Sequence, residues 1–227
     1  MVNVLSFKTN GGSNVFCFSD FHASHEKTFI IEPRGFKNAD EAKNTLITNW
    51  NSKVTNNDIC FLLGDTVVGA GQNSELVFDE ILRRLNYKEL YLAPGNHYSG
   101  YRQRFNKELA AGNRIDEYYR LSFSPVAGKV VHLIPNYYEA YIDREFVVLS
   151  HYSILSFNGQ SKSAVHIFGH SHNNIVKSEL GKLYVKGRVL EVTPEAIGNY
   201  PFSFREIMGK IGNKSPVIVD HHDKHTT

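Results

Sequence analysis

Cysteine is scarce in this chain of 227 residues, which contains only Cys17 and Cys60, both inside apolar runs. Small secreted scaffolds depend on several disulfides, so this composition excludes them and predicts buried free thiols in a reducing compartment. No apolar run approaches the length of about 20 residues that spans a bilayer. The start, MVNVLSFKTNGG, has no signal-peptide pattern. We therefore expect a cytoplasmic protein with no membrane partner.

Neither sign of charge is in large excess, because the formal net charge is only +2. The whole-protein field therefore does not indicate a nucleic-acid partner. A hydrophobic fraction of 41% and an aromatic fraction of 12% exclude disorder for most of the chain. No Pro/Gly/Ser-rich linker marks a boundary, so we predict one domain over residues 1–215 and a polar tail over residues 216–227. The sequence defines no oligomeric state.

Short β-rich runs alternate with segments of helical periodicity, which predicts an α/β fold. The five predicted strands are Val15–Ser19, Ile59–Leu63, Leu90–Pro94, Phe146–Ser150 and Val165–Phe168. The predicted helices are Asp40–Trp50, Ser74–Leu85, Tyr101–Ala111 and Ser203–Ile211. YYEAYIDREFVVLSH predicts a hairpin that turns at Asp143-Arg144, and KLYVKGRVLEVTP predicts further strand.

Each of the five predicted strands runs directly into a polar cluster. In chain order the clusters are Asp20-Phe21-His22, Gly64-Asp65, Gly95-Asn96-His97, His151 and Gly169-His170-Ser171-His172. Ligands of open α/β sheets bind outside the carboxyl ends of strands. If the five strands lie side by side, the clusters would meet in one patch.

These residue types suit divalent metals, because carboxylate, imidazole and amide oxygen are all ligands for them. In Asp-x-His and His-x-His the two donors would lie on the same side of an extended segment. Taken singly, a histidine at a strand end is usually an ordinary polar residue, and Gly-Asp and Gly-Asn are common turn dipeptides. Five clusters at five strand ends together indicate a metal centre. His132 and His166 lie within apolar strands, where we expect structural roles.

The motif order D-x-H, GD, GNH, H and GHxH resembles that of the calcineurin-like metallophosphoesterase superfamily, over residues 20–172. FSDFHASHEKTFII, LSHYSI and YPFSFREI are similar to a small bacterial and phage branch, which usually has proline where Ser153 stands. The resemblance implies two facing mixed β-sheets flanked by helices, a four-layer sandwich.

The resemblance also implies two divalent metal ions, with manganese the first candidate and iron, zinc, nickel or cobalt compatible. It assigns Asp20, His22 and His172 to the first ion, Asn96, His151 and His170 to the second, and Asp65 to both. A hydroxide bridging the ions would attack phosphorus in line with the leaving group, and His97 would protonate the departing oxygen or stabilise the phosphoryl group. Relatives often have acidic residues soon after GNH and GD; here Tyr98 follows GNH and GDTVVG has none.

Two residues are candidates for substrate binding. His25 follows the first cluster in FHASH, and Arg34 in EPRGF could pair with a phosphate oxygen through its planar fork. Either residue could instead be an ordinary surface side chain. Tyr98, Tyr101 and Arg102 could line a nucleotide-sized cleft or simply pack.

Three functions fit the sequence. The first is a metal-dependent phosphodiesterase or phosphatase that acts on a small phosphorylated or nucleotide substrate. The second is a metal-dependent nuclease on DNA or RNA, for which RRLNYK and YRQRFNK are the short basic segments. The third is a non-catalytic scaffold with the same fold.

Overall fold

The computed structural model describes residues 3–217, so the predicted polar tail lies outside it beyond Val217, together with its histidines. The strands of this part are β1 (Leu5–Phe7), β2 (Val15–Phe18), β3 (Ile59–Leu62), β4 (Glu89–Leu92), β5 (Leu121–Phe123), β6 (Val130–Leu133), β7 (Tyr137–Ile142), β8 (Glu145–Ser150), β9 (Val165–Phe168), β10 (Val189–Glu191) and β11 (Phe202–Ser203). Its α-helices are α1 (Thr28–Ile31), α2 (Ala39–Lys53), α3 (Ser74–Arg84), α4 (Ser99–Ala110), α5 (Glu179–Tyr184), α6 (Pro194–Ile197) and α7 (Phe204–Ile211).

The strands form two mixed sheets, in agreement with the predicted two-sheet α/β sandwich. The six-stranded sheet has the order β11-β2-β3-β4-β6-β5, with β2, β3, β4 and β6 parallel. The five-stranded sheet has the order β1-β7-β8-β9-β10, and β7 and β8 form its antiparallel hairpin. In the first sheet Phe18, Leu62 and Leu92 are register partners, so β2, β3 and β4 end level with one another.

Aromatic side chains fill the space between the sheets. The Phe7 ring of β1 meets Phe61 of β3 edge-on at 5.4 Å and Tyr91 of β4 at 5.1 Å between ring centroids. All three rings belong to one hydrophobic core to which both sheets contribute. Strands β2 and β9 are buried along their whole length, as expected for strands covered on both faces. A shared core fixes the two sheets relative to each other.

Most predicted elements are confirmed. The five apolar runs correspond to β2, β3, β4, β8 and β9, and the hairpin turns at Asp143-Arg144, both with positive φ. Helix α7 begins after Ser203, which forms a capping box with Glu206. Cys17 and Cys60 are buried free thiols, as predicted. No helix within residues 3–217 has the length and apolar character that crossing a bilayer requires.

One structural prediction was wrong. KLYVKGRVLEVTP is strand only at β10, because Ser178 accepts a hydrogen bond from the Gly181 N–H and starts α5, while Pro194 starts α6. The five predicted strands are divided between the two sheets. The sequence pattern is the same for β2, β3 and β4 as for β8 and β9, but these two sets lie in different sheets.

Candidate metal centre

The polar clusters meet although their strands belong to different sheets. Hydrogen bonds between the clusters join the sheets at this end: His151 Nδ1 lies 2.8 Å from the Leu63 carbonyl oxygen, and the His170 N–H donates to Asp20 Oδ2 at 2.8 Å. The Ser19 N–H donates to the Val192 carbonyl oxygen at 3.0 Å. The carboxyl ends of five strands therefore form a single patch, as the sequence predicted, but they approach it from two sheets.

The local backbone at the clusters differs from the predicted extended geometry. Asp20, His22, Asp65, His170 and His172 have positive φ values between 47° and 70°. For residues with a side chain this left-handed conformation costs on the order of 1–3 kcal/mol each. Tight turns, rather than the alternation of a strand, thus bring the donors of Asp-x-His and His-x-His together. Concentrated strain of this kind is typical of functional sites.

Two glycines make room for the candidate metal-binding side chains and their neighbours. A Cβ atom on Gly95 would lie 2.1 Å from Asp65 Oδ1, and one on Gly169 would lie 2.0 Å from Ser19 Oγ. Gly95 also has a φ of +75°, which side chains disfavour. Both positions therefore require glycine, because the chain passes too close to Asp65 and Ser19 for a side chain to fit.

The first group of donors is Asp20, His22 and His172. Asp20 Oδ1 lies 3.4 Å from His22 Nε2 and 3.5 Å from His172 Nε2. Asp20 Oδ1 and His22 Nε2 are buried and have no hydrogen-bond partner. A buried polar atom without a partner costs about 1–3 kcal/mol. These donor atoms, which converge without bonding to one another, suit a cation placed among them.

The second group is Asp65, Asn96 and His151. His151 is fully buried, and its Nδ1 donates to the Leu63 carbonyl oxygen, which can only accept, so Nε2 is the nitrogen that faces the centre. Nε2 lies 2.8 Å from Asn96 Oδ1 and 3.7 Å from Asp65 Oδ2. These three atoms lie together and are of the types that bind a divalent cation.

Asp65 links the two groups. Its Oδ2 lies 3.4 Å from His22 Nε2 and 3.7 Å from His151 Nε2, while its Oδ1 accepts the His97 N–H at 2.7 Å. Two sets of donors, each within 4.8 Å, are Asp20, His22 and His172, and Asp20, Asp65 and His151. The carboxylates of Asp20 and Asp65 thus occupy the middle of the centre.

His170, the remaining predicted ligand, lies at the edge of the centre. Its side chain is exposed, and its ring centroid lies 5.0 Å from that of His151 and 4.7 Å from that of Tyr152. Burial lowers the pKa of His170, as does the positive charge of nearby histidines, so the ring is neutral and available as a ligand near pH 7. His170 therefore stays adjacent to the second group, on its solvent side.

The electrostatics of the centre favour positive charge. Burial by itself would raise the pKa of the Asp20 carboxyl, but the nearby His22 ring, with the charges of His151 and His172, lowers it below its usual range. The pKa of Asp65 is lowered in the same way, mainly through His22. Conversely, burial opposes protonation of His22, yet the two carboxylates raise its pKa. Both carboxylates are ionised near pH 7, as metal ligands must be.

The structure corrects the prediction for Arg34. This side chain is buried, and its guanidinium donates to the carbonyl oxygens of Asp20 at 2.9 Å and Phe21 at 3.1 Å and to Glu195 Oε1 at 2.8 Å. The guanidinium is thus committed within the protein and does not face an incoming phosphate. It ties the Asp20 turn to α6 because it crosses between the two segments.

Glu195 is a residue of the centre that the sequence did not indicate. Its Oε1 accepts a hydrogen bond from His172 Nδ1 at 2.9 Å, which leaves His172 Nε2 free for a metal. Burial raises the pKa of Glu195, but His172 and Arg34 outweigh it and lower the pKa. An acidic residue after Thr-Pro is ordinary at a helix start, so no local pattern distinguishes Glu195.

Glu191, at the end of β10, is a second such residue. Its carboxylate accepts hydrogen bonds from the Asn173 N–H at 2.8 Å and from Ser171 Oγ at 2.7 Å. Burial raises the pKa of this carboxyl. Glu191 therefore holds the turn that carries His170 and His172.

His97 and His25 both lie beside His22. His97 is exposed, and its ring centroid is 5.8 Å from that of His22. The half-buried His25 lies with Nδ1 3.4 Å from His22 Nδ1. Burial, with the positive charges of His22 and His97, lowers the pKa of His25 to about 4. The structure thus places both residues at the mouth of the centre, where a substrate would enter.

His132 and His166 have the structural roles expected of them. His132 bonds to Ser122 Oγ at 2.7 Å, and His166 bonds to Ser150 Oγ at 2.7 Å and the Tyr184 hydroxyl at 2.5 Å. Burial lowers the pKa of His166 to about 3. Both nitrogens of His166 are satisfied by neutral partners, in contrast to those of the histidines in the centre.

Comparison with known proteins supports the fold. No protein-family model matches the chain. An uncharacterized protein of Methanocaldococcus jannaschii is 35% identical over 83 residues, which are 37% of this chain and 46%, less than half, of that protein. The crystal structure of a protein of unknown function from Aquifex aeolicus superposes with a TM-score of 0.57 at 18% identity, over 87% of this chain and 98% of the other. At that identity the similarity concerns the fold alone.

Proposed function

We propose that the chain is a phosphoester hydrolase of the calcineurin-like metallophosphoesterase superfamily that depends on two divalent metal ions. The observation that carries this proposal is the pair of buried, unpartnered atoms Asp20 Oδ1 and His22 Nε2, 3.4 Å apart in a ring of further donors. Natural proteins satisfy nearly all buried polar atoms, so unpartnered ones in the same place require an explanation. A bound cation supplies it.

The residues fit two ions. Asp20, His22 and His172 would hold the first, while Asn96, His151 and His170 would hold the second, with Asp65 shared. Mixed oxygen and imidazole donors suit manganese, iron, zinc, nickel or cobalt, with manganese as the first candidate. When bound, such ions would lower the pKa of water towards about 7 and neutralise charge on a phosphoryl group.

His97 would supply the proton that the leaving oxygen needs. Its side chain is exposed at the mouth of the centre, while its backbone N–H is held by Asp65 Oδ1. The position of the ring is thus coupled to a proposed ligand although the ring itself is available to a substrate. General acid catalysis of this kind contributes about 10²- to 10⁴-fold.

A substrate panel on metal-stripped protein tests the proposed function. The panel holds an aryl phosphomonoester, an aryl phosphodiester, cyclic nucleotides and single-stranded DNA, each with and without manganese. We expect hydrolysis that requires added metal and a content of two ions per chain by elemental analysis. Hydrolysis indifferent to a chelator, or a chain that binds no divalent metal, would contradict the proposal. A steep loss of substrate affinity with salt would identify a nuclease instead.

A further inference from the structure

A cavity of about 520 Å³ opens beside the metal centre, and Tyr98, Tyr101 and Arg102 are among the residues that line it. Its size lies in the range of small-molecule sites, which is about 300–1,000 Å³. Four aromatic residues contribute to its wall: Tyr98, Tyr101, Phe105 and Tyr119. Arg102 is the one charged residue of the wall, and no carboxylate contributes to it. We call this space the tyrosine cavity.

The tyrosine cavity adjoins the proposed proton donor. Gly95 and Tyr98, which both line it, bracket Asn96 and His97 in the chain. Asn136, another lining residue, fixes this segment because its Oδ1 accepts the Gly95 N–H at 2.8 Å and its Nδ2 donates to the Gly95 carbonyl oxygen at 3.3 Å. A substrate whose leaving oxygen reached His97 would therefore have its leaving group next to this cavity.

The wall presents rings more than hydrogen-bonding groups. The Tyr101 hydroxyl already donates to the Ile134 carbonyl oxygen at 3.0 Å, and the Tyr101 ring stacks on Phe105 with an interplanar angle of 13°. At the rim, Tyr98 is 47% exposed, Ile115 52% and Tyr119 58%. Aromatic and aliphatic side chains exposed around a concave site are typical of recognition of a flat apolar group.

Arg102 gives the cavity positive character. Its guanidinium lies 5.7 Å from the centroid of the Tyr98 ring, and among residues 3–217 no carboxylate is its ion-pair partner. It also borders a smaller cavity of about 310 Å³ that Asn96 and His97 line. Arg34 is committed to Glu195, so Arg102 is the arginine at this site with its charge available to a ligand.

We propose that the tyrosine cavity binds a planar aromatic ring, a nucleobase or an aryl group, on the leaving side of the substrate. Tyr98 would stack on the ring, and Arg102 would lie over the stacked pair or against the phosphoryl group. This proposal rests on the proposed function and names its substrate class: phosphoesters of nucleosides or of aromatic alcohols.

Adenosine monophosphate and ribose 5-phosphate form the matched probes, because they carry the same phosphate on the same kind of primary oxygen and differ in the base. Each is tested as a competitor of whichever panel ester the manganese-loaded protein cleaves. We expect the nucleotide to compete at least about tenfold better, the typical contribution of one stacked base. Phenyl phosphate against methyl phosphate shows whether a single ring suffices.

Two variants locate the effect. Tyr98→Leu removes the ring and Ile115→Trp fills the cavity from its exposed rim, and each should weaken the nucleotide about tenfold while ribose 5-phosphate is unchanged. Tyr200→Leu is the matched control, since Tyr200 is 42% exposed and does not line this cavity. Equal competition by adenosine monophosphate and ribose 5-phosphate would overturn the proposal. Variants that weaken competition by both compounds equally would also overturn it.

A second measurement separates this proposal from the proposed function. Adenosine binding to the metal-stripped protein is followed by saturation-transfer NMR, with no catalysis involved. If wild-type protein binds adenosine and both Tyr98→Leu and Ile115→Trp abolish that binding, the proposed role of the tyrosine cavity is supported. If no ester is cleaved with any metal, the proposed hydrolase function is refuted, but the proposed role of the cavity is not. Absence of adenosine binding, or binding that both variants leave intact, refutes the tyrosine cavity.

Discussion

The two halves of the centre contain similar donors in different surroundings. On the His172 side, formed by Asp20, His22 and His172, a buried carboxylate of Glu195 holds the outer nitrogen of His172. On the His170 side, formed by Asn96, His151 and His170, the outer ligand is exposed and packs against the ring of Tyr152. A carboxylate behind a histidine fixes its tautomer and increases its basicity, whereas an aromatic ring does neither.

We expect from this difference that the identity of the ligands alone does not determine how tightly each half binds a metal ion. The His172 side is preorganised by Glu195 and Arg34, so an ion there should bind more tightly than an ion on the His170 side. Sequential loading, with the His172 side first, is the expected behaviour of the metal-stripped protein.

Replacing the shared carboxylate should have the largest effect. Asp65→Asn removes charge from both halves at once, and we expect loss of at least one ion and a fall in kcat/KM well beyond the roughly 100-fold typical of residues behind the ligands. Elemental analysis after dialysis and steady-state kinetics measure the two effects. Asp116→Asn, which alters an ion pair with Arg120 elsewhere, is the control. Full occupancy by two ions in Asp65→Asn would disprove the sharing.

Removing the side chain of His97, the proposed proton donor, should lower the rate of hydrolysis without releasing metal from either half of the centre. His97→Ala should lower kcat about 10²- to 10⁴-fold while both ions stay bound, because the hydrogen bond from His97 to Asp65 is made by its backbone N–H, which alanine keeps. Metal content and kcat are measured on the same preparation. If the variant lost metal to the same extent as activity, His97 would be a ligand rather than the acid.

Replacing Glu195 tests the difference between the halves directly. Glu195→Gln keeps the shape but weakens the bond to His172, and we expect metal affinity to fall about 10- to 100-fold on the His172 side only. Tyr152→Leu is the counterpart on the His170 side and should change affinity less. Calorimetric titration of metal-stripped protein resolves the two binding steps. Equal weakening of both steps by Glu195→Gln would show that the halves are not distinct.

Acid should destabilise the metal-free protein through the same carboxylates. The folded-state pKa values of Asp20, Asp65 and Glu195 are lowered, so between these values and the unfolded values near 4 the unfolded chain binds more protons. Their contribution is complete above about pH 5 and is lost as pH falls through the folded values.

Urea unfolding with a chelator present measures this smaller effect. Each proton of difference contributes up to about 1.4 kcal/mol per pH unit, so Glu195→Gln should lose less stability than the wild type between pH 5 and 3. His22 has the opposite sign: its pKa is raised, so its contribution is present at low pH and lost as pH rises through that value. If the free energy of unfolding fell equally with pH in both proteins, Glu195 would not contribute to the acid sensitivity.

The strands and the residues that end them were predictable, because buried parallel strands are continuous apolar runs and polar residues follow them. His132 and His166 could be set apart for the same reason, since each lies inside a run rather than after it. Arg34 and Glu195 could not, because a surface arginine and a buried one look the same in a linear chain. Arg34 is a structural residue because of partners that the linear chain does not reveal: two carbonyl oxygens of the Asp20 turn and Glu195, which is 161 residues away.

The sequence by itself determined which side chains stand at the strand ends and how the elements alternate, since both follow from local hydrophobic pattern and turn chemistry. The tertiary structure decided which strand ends each of the two sheets contributes, that left-handed turns lie at the metal-binding residues, and that Glu195 stands behind His172. These features depend on contacts between residues far apart in the chain, and local propensity carries no information about such contacts.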